Sequence, residues 1–355
     1  MKANFLAGPV AMTREVSAAF QSLPLSHREP AFLDMMSRTR AFLSSLVNAS
    51  HTALLLGSGT LANDAVAAQL KCIDGPGLIL SNGEFGERLI DHAKRWKLAF
   101  TAEEQNWGEP FQWRRVRRCA DERRPTWIWA VLSETSTGVL NPLGELLALS
   151  DSVGAELCLD AVSAVGLIPV DLQRVRFATA VSGKGLAALP GLAAVFHRGR
   201  LASSEHIPRY LDLAAYEATN GVPFTHSSNL LAALDRALSQ TCWPRKFERV
   251  RRESVTLRAA LRNHGLPPLA AESDATPGIV TVALPSEVCA ADVAIGLAEQ
   301  GFQIAYQSRY LRQRNWLQIC LMGEFDDAAL ALLPGTLARH VAIRTGHWGA
   351  ARHSH

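Results

Sequence analysis

Only six of the 36 Lys and Arg residues in this 355-residue chain are lysines, and one of the six stands apart. Lys184 lies in Ala180-Val181-Ser182-Gly183-Lys184-Gly185-Leu186, among small and apolar residues with no other charge. The other five sit among polar or charged neighbours, or at the terminus. A lysine held away from water loses its proton more readily, and its free amine then attacks carbonyl carbons. A second group is Asp160, the last residue of the apolar run Glu156–Asp160. Ligands of open α/β sheets bind beyond the carboxyl ends of the strands, where this carboxylate would stand. A third is Gly57-Ser58-Gly59-Thr60-Leu61-Ala62, which follows the apolar run Thr52–Leu56 and opens a helical pattern. Glycines there bring backbone N–H groups close to a ligand, and the helix N-terminus adds partial positive charge, so this turn suits a phosphate.

The same turn fits the dinucleotide pattern G-x-G-x-x-A, with Glu84 the nearest acid for a ribose. An NAD-binding oxidoreductase would leave Lys184 and Asp160 without a task. Pyridoxal phosphate uses all three features. Its aldehyde takes a lysine, its pyridinium nitrogen takes an anion, and its phosphate takes N–H donors.

These residues need a scaffold. Short apolar runs at Thr52–Leu56, Gly77–Ser81, Thr126–Leu132, Glu156–Asp160, Phe177–Ser182 and Leu192–His197 read as strands. Helical patterns lie at Ala31–Val47, Thr60–Leu70, Phe85–Trp96 and Leu143–Val153. Apolar strands alternating with helices predict a parallel or mixed sheet covered on both faces. Beyond Pro223 come two long helices, Asn229–Ser239 and Lys246–Asn263, and then a smaller α+β pattern. That pattern holds strands at Gly278–Leu284, Phe302–Tyr306 and Trp316–Met322, with helices at Glu287–Glu299 and Asp326–His340. The expected organisation is residues 1–250 as the N-terminal segment and large cofactor-binding domain, 251–345 as a small domain, and 346–355 as a flexible tail. His353 and His355 in that tail read as a solvated end rather than metal ligands.

Composition limits the alternatives. Hydrophobic residues make up 48% and charged residues 19%, which excludes a disordered chain. A net charge of +3 gives no reason to expect nucleic acid or an anionic membrane. No apolar run approaches the roughly 18 residues of a membrane span, and the N-terminus lacks a signal-peptide pattern. Six scattered cysteines without metal spacing predict free thiols, a cytoplasmic location and no metal.

The chain resembles the class V pyridoxal-phosphate-dependent aminotransferases, in particular the alanine–glyoxylate, serine–pyruvate and 2-aminoethylphosphonate–pyruvate group. The likeness runs over about residues 4–340. It is carried by Ala7-Gly8-Pro9-Val10, Leu25-Ser26-His27-Arg28, Gly57-Ser58-Gly59-Thr60, Asn82-Gly83-Glu84-Phe85-Gly86-Glu87-Arg88, Glu134-Thr135-Ser136-Thr137-Gly138, Asp160-Ala161-Val162-Ser163, and Ser182-Gly183-Lys184 followed by Pro190-Gly191. The resemblance implies fold type I, with a mixed, mostly parallel seven-stranded sheet and a smaller C-terminal α+β domain. It implies an aminotransferase that moves an amino group from an amino acid or aminoalkyl donor to a 2-oxo acid by a ping-pong route. In that route Lys184 would form the internal aldimine and shuttle the proton. Asp160 would pair with the pyridine nitrogen, and Phe85 and Val162 would cover the two ring faces. Thr135 would hydrogen-bond the ring hydroxyl, and Ser58, Gly59 and Thr60 would hold the phosphate. Thr225 would reach the phosphate of a neighbouring subunit, which implies a homodimer with shared sites. Gly8 would border the substrate pocket.

Two positions depart from the family. Gly183 stands where relatives carry Gln or Asn. Gln318, in Gln318-Ile319-Cys320-Leu321-Met322-Gly323, stands where relatives carry an arginine for the substrate carboxylate. A neutral amide forms no bidentate ion pair with a carboxylate. Arg309, Arg312 and Arg314 lie nearby, and Arg314 shares the face of Gln318 if the strand extends that far. The competing reading is a lyase or desulfurase of the same fold. Cys320 is the nearest candidate thiol for it, although its apolar surroundings read as core. A non-catalytic protein that binds pyridoxal phosphate is a further alternative, against which Lys184 and Asp160 argue.

Overall fold

The computed structural model describes residues 3–201 and 203–345. Seven strands form its central sheet: β1 (His51–Gly57), β2 (Gly77–Ser81), β3 (Phe100–Glu104), β4 (Trp127–Val131), β5 (Glu156–Asp160), β6 (Phe177–Val181) and β7 (Gly191–His197). Their order is β1-β7-β6-β5-β4-β2-β3, and β7 alone runs against its neighbours. The central strands are apolar on both sides because both faces are covered. Ile128 and Ala130 of β4 enter one core, while Trp127 and Trp129 enter another on the opposite face.

The six strands legible in the sequence are all present, and β3 is the one missed. It forms the sheet edge, and its residues are only partly buried. Phe-Thr-Ala-Glu-Glu therefore lacks the continuous apolar signal of the central strands. β1 is followed by the helix α1 (Gly59–Leu70), but the next strand, β2, lies far across the sheet from β1. A dinucleotide-binding unit pairs those two strands side by side. The NAD reading of the glycine turn fails on that topology, and Glu84 instead pairs with Arg88 at 2.9 Å.

A further core gathers around β8 (Ile279–Ala283) and β9 (Trp316–Cys320), which pair antiparallel with Thr281 opposite Gln318. Ala3–Phe5 pairs parallel with Phe302–Ile304, so Phe5 joins this core despite its place at the N-terminus. The helix α2 (Glu84–Arg95) packs on the sheet beside β2 and β4. The long helix α3 (Trp243–Asn263) spans the expected boundary at residue 250. It gives Trp243 to a core of the main sheet and Leu257 and Leu261 to the core around β8 and β9. The tail from Gly346, with His353 and His355, lies outside the described residues. No helix among the described residues is long and apolar enough to cross a membrane.

One contact shows how tightly β4 is fitted. Trp127 is 1% exposed and sits in register with Gly77 of β2. A Cβ at Gly77 would fall 2.2 Å from the indole ring, so only glycine leaves room for it. Trp127→Ala should empty that site and cost about 3–5 kcal/mol in urea unfolding. A loss below about 1 kcal/mol would contradict this packing.

Candidate active site

The carboxyl ends of β5 and β6, the start of α1 and the start of α2 converge on a cavity of about 640 Å³. Ser58, Gly59, Thr60, Phe85, Thr135, Asp160, Val162, Lys184 and Gly8 all line it. Nine of the twelve residues expected from the sequence therefore meet in one place.

Lys184 follows β6 and projects into the cavity, where its Nζ donates to Ser163 Oγ at 2.9 Å. Ser163 Oγ in turn shares a short hydrogen bond with Thr135 Oγ1. Burial pushes the Lys184 ammonium below the ordinary lysine range, and the charge of Asp160 opposes that shift. A lysine with a lowered pKa carries a larger share of free amine near neutral pH. Gly8 packs against this loop, and a Cβ there would sit 3.4 Å from the Gly183 oxygen and 4.0 Å from Lys184 Cγ. Gly183 itself has no space for a side chain, because a Cβ would lie 2.9 Å from Pro190. The Gln or Asn that the resemblance leads one to expect there does not fit this loop.

Asp160 ends β5 and is 5% exposed. Asn63 Nδ2 donates to its Oδ2 at 2.8 Å, and the Val162 amide donates to its Oδ1 at 3.0 Å. Asn63 is itself held by the Thr179 hydroxyl at 3.1 Å. These bonds fix the carboxylate and leave it facing the cavity. A buried anion so held suits a protonated ring nitrogen, forming a charge-assisted hydrogen bond.

Ser58 flanks the start of α1 but makes no side-chain hydrogen bond to the helix, so the end is left uncapped. Its hydroxyl and the first N–H groups of the helix are therefore available to an anion. A Cβ at Gly59 would come within 3.1 Å of Val162, so glycine lets the helix start close to β5. Phe85 stands at the start of α2, with Lys184 Nζ 5.1 Å from its ring centroid. Tyr310 meets the ring edge-on at 6.5 Å. The uncapped helix end, the fixed carboxylate, the partly desolvated amine and the aromatic face match the donor and acceptor pattern of pyridoxal phosphate.

Several contributors were not legible in the sequence. Glu134 is fully buried and accepts from the amides of Phe85 (3.2 Å), Gly86 (3.1 Å) and Ser136 (3.1 Å) and from Ser136 Oγ (2.5 Å). Burial raises its pKa, while those bonds hold it down in part. Glu134 thus anchors the end of α2 that carries Phe85. Asn63, Ser163, Arg88 and Tyr310 also had no assigned role. Three of them, Arg88, Glu134 and Ser163, lie in the Asn82–Arg88, Glu134–Gly138 and Asp160–Ser163 motifs.

Three expected residues lie elsewhere. β9 begins at Trp316, preceded by the short helix Arg309–Arg314 and by Asn315 at φ 57°. Arg314 therefore does not share the strand face of Gln318. Its guanidinium lies 3.8 Å from the Trp107 ring centroid, and Arg314 is absent from the cavity lining. Gln318 is buried behind Thr135 and donates to its backbone oxygen. Thr225 is exposed and lies outside this chain's own cavity. Cys320 is buried in β9, and its thiol is pushed up to about 12, so it keeps its proton at neutral pH.

The sequence pattern of the family described as aminotransferase class V matches residues 13–209. The "Soluble hydrogenase 42 kDa subunit" of Anabaena cylindrica is 32% identical over 84% of this chain and 82% of its own length. A 2-aminoethylphosphonate–pyruvate transaminase of Pseudomonas putida strain F1 is 35% identical over 54% of each chain, so the match spans about half of that protein. Among solved structures, an alanine–glyoxylate aminotransferase from Nostoc sp. superposes with a TM-score of 0.86. It shares 26% identity and covers 96% of this chain and 95% of its own.

Glu134→Ala should leave buried N–H groups at the start of α2 without an acceptor. The expected cost is about 1–3 kcal/mol in urea unfolding, together with weaker binding of pyridoxal phosphate. Unchanged stability would contradict the anchoring role.

Proposed function

We propose a reaction from one premise: the chain belongs to the class V aminotransferase family, whose cofactor is pyridoxal phosphate. We infer that it moves an amino group from an amino acid or aminoalkyl donor to a 2-oxo acid such as pyruvate or glyoxylate. The observation that carries this reading is the partly desolvated Lys184 amine facing one cavity with the fixed Asp160 carboxylate and the uncapped start of α1.

When bound, the cofactor supplies an aldehyde that condenses with primary amines and a ring that accepts the electron pair left at a deprotonated carbon. The residues of the chain supply the rest. Lys184 would provide the resident amine and hold the proton that moves to and from the substrate Cα. Its lowered pKa suits both tasks. Asp160 would accept a hydrogen bond from a protonated ring nitrogen. Ser58, Gly59 and Thr60 would hold the phosphate, and Phe85 and Val162 would contact the ring. Ser163 orients Lys184 Nζ and is itself held by Thr135, and either hydroxyl would be available to the ring oxygen. The Arg88 guanidinium lines the cavity 4.7 Å from the Phe85 ring centroid and is already paired with Glu84, so an acid group of the acceptor would have to share it. Donor and acceptor use the same cavity in turn, which is the ping-pong order.

Thr225 serves a second copy of the chain in this reading, giving a homodimer with shared sites. Its exposed position outside its own cavity supports that arrangement. Six free cysteines support a reducing, cytoplasmic setting. Against the desulfurase alternative, no cysteine lines the Lys184 cavity among the described residues, and burial pushes the Cys320 thiol up.

The purified protein loaded with pyridoxal phosphate should be yellow, bleach with one member of an amine panel, and recover its band with a 2-oxo acid. Lys184→Ala should lose turnover by about 10²–10⁴-fold. A protein that takes up no cofactor would overturn this reading. Amine-dependent product release without an oxo acid would turn it towards a lyase.

A further inference from the structure

Lys246 has charged and polar neighbours in the sequence, yet the fold partly buries it. It lies in the first turn of α3, and its Nζ donates to the backbone oxygen of Gly185, the residue after Lys184. The Trp243 ring centroid lies 5.2 Å from the same Nζ. Burial pushes the Lys246 ammonium down to about 8, and the charge of Glu324 opposes that shift. At neutral pH the ammonium therefore keeps its proton and remains a charged donor, the stronger kind.

The carbonyls of the Lys184 loop can be accounted for in turn. Ser182 O accepts from the Ala188 amide at 3.0 Å, and Lys184 O accepts from the Ala187 amide at 2.9 Å. Gly185 is buried, and among the described residues its oxygen accepts from Lys246 alone. Close packing against Val165 and Gly166 sets where Gly185 sits. The direction of its carbonyl depends on Lys246, because a glycine has no Cβ to limit its backbone.

The helix that carries Lys246 is a firm mount. Trp243 packs in a core of the main sheet. Arg249, one turn beyond Lys246, donates to the Phe325 oxygen at 2.8 Å and to Asp327 Oδ1 at 2.7 Å. Without the Lys246 donor, the Gly185 carbonyl would be left buried and unpaired, and turning towards water would relieve it. Lys184 would move with the loop, away from Ser163 Oγ.

We propose that Lys246 is a positioning residue for Lys184: its hydrogen bond to Gly185 O holds the loop so that the Lys184 amine stays in the cavity beside Ser163. The catalytic consequence rests on the aminotransferase reading, whereas the placement of the amine does not.

The first test uses the full chain freed of carbonyl ligands. Acylation of Lys184 is followed against pH by mass spectrometry, with amide hydrogen exchange of residues 183–188 measured on the same samples. Lys246→Met, which keeps the length and removes the donor, should raise the Lys184 midpoint by about one pH unit or more. It should also speed exchange in the loop by about tenfold. Lys246→Arg, which keeps a charged donor, should restore both. Lys246→Gln is one bond shorter and uncharged, and gives the same reading as methionine should that variant fail to fold. An unmoved midpoint overturns the inference. A raised midpoint without faster exchange overturns it too, since the lost charge alone would then explain the shift. In the holoenzyme, Lys246→Met should slow bleaching of the cofactor band at saturating amine by about tenfold, with half-saturation changed less than about threefold. The predicted midpoint and exchange in a protein that transfers no amine would sink the aminotransferase reading and keep this one.

Discussion

The site depends on the partial removal of one amine from water. Lys184 is held in a loop of small residues between Gly8 and the Phe85 ring, with one hydroxyl, Ser163 Oγ, as hydrogen-bond partner. Burial disfavours its charged form, while Asp160 restores part of what burial removes. Too little burial would leave an ordinary, protonated lysine. A closer anion would have the same effect. The loop sequence Ser182-Gly183-Lys184-Gly185 sets this balance, because a side chain at Gly183 or Gly185 would collide with backbone or Pro190.

The sheet serves that balance. β5 ends in Asp160 and β6 runs into the Lys184 loop, and the two strands are neighbours. Asp160 pairs in register with Thr179, whose hydroxyl also fixes Asn63 on α1. The phosphate cradle and the carboxylate are thus tied together through one asparagine. Glu134 does the corresponding work for α2, tying its first amides to the segment that carries Thr135.

Much of this was legible in the sequence, and the reasons for the gaps are physical. Central strands announce themselves because both of their faces are buried, so Trp127–Val131 and Phe177–Val181 stand out. The edge strand Phe100–Glu104 does not, because solvent tolerates its threonine and glutamates. Nine expected site residues meet because their motifs close on a single sheet edge. Arg314 was misplaced because a left-handed Asn315 separates it from β9, a backbone turn that periodicity does not report. Asn63, Glu134 and Ser163 act through partners more than twenty residues away in the chain, and their types alone do not reveal those partners.

The most direct measurement is the titration of Lys184 in the protein freed of carbonyl ligands. Its rate of reaction with an amine-selective acylating reagent would be followed against pH by mass spectrometry, with the exposed lysines as internal standards. The account predicts a midpoint clearly below the roughly 10.4 of an ordinary lysine, and a further fall when Asp160 is replaced by Asn. A midpoint at or above that of the exposed lysines would contradict it, because Lys184 would then be solvated or overcompensated and not poised as a free amine.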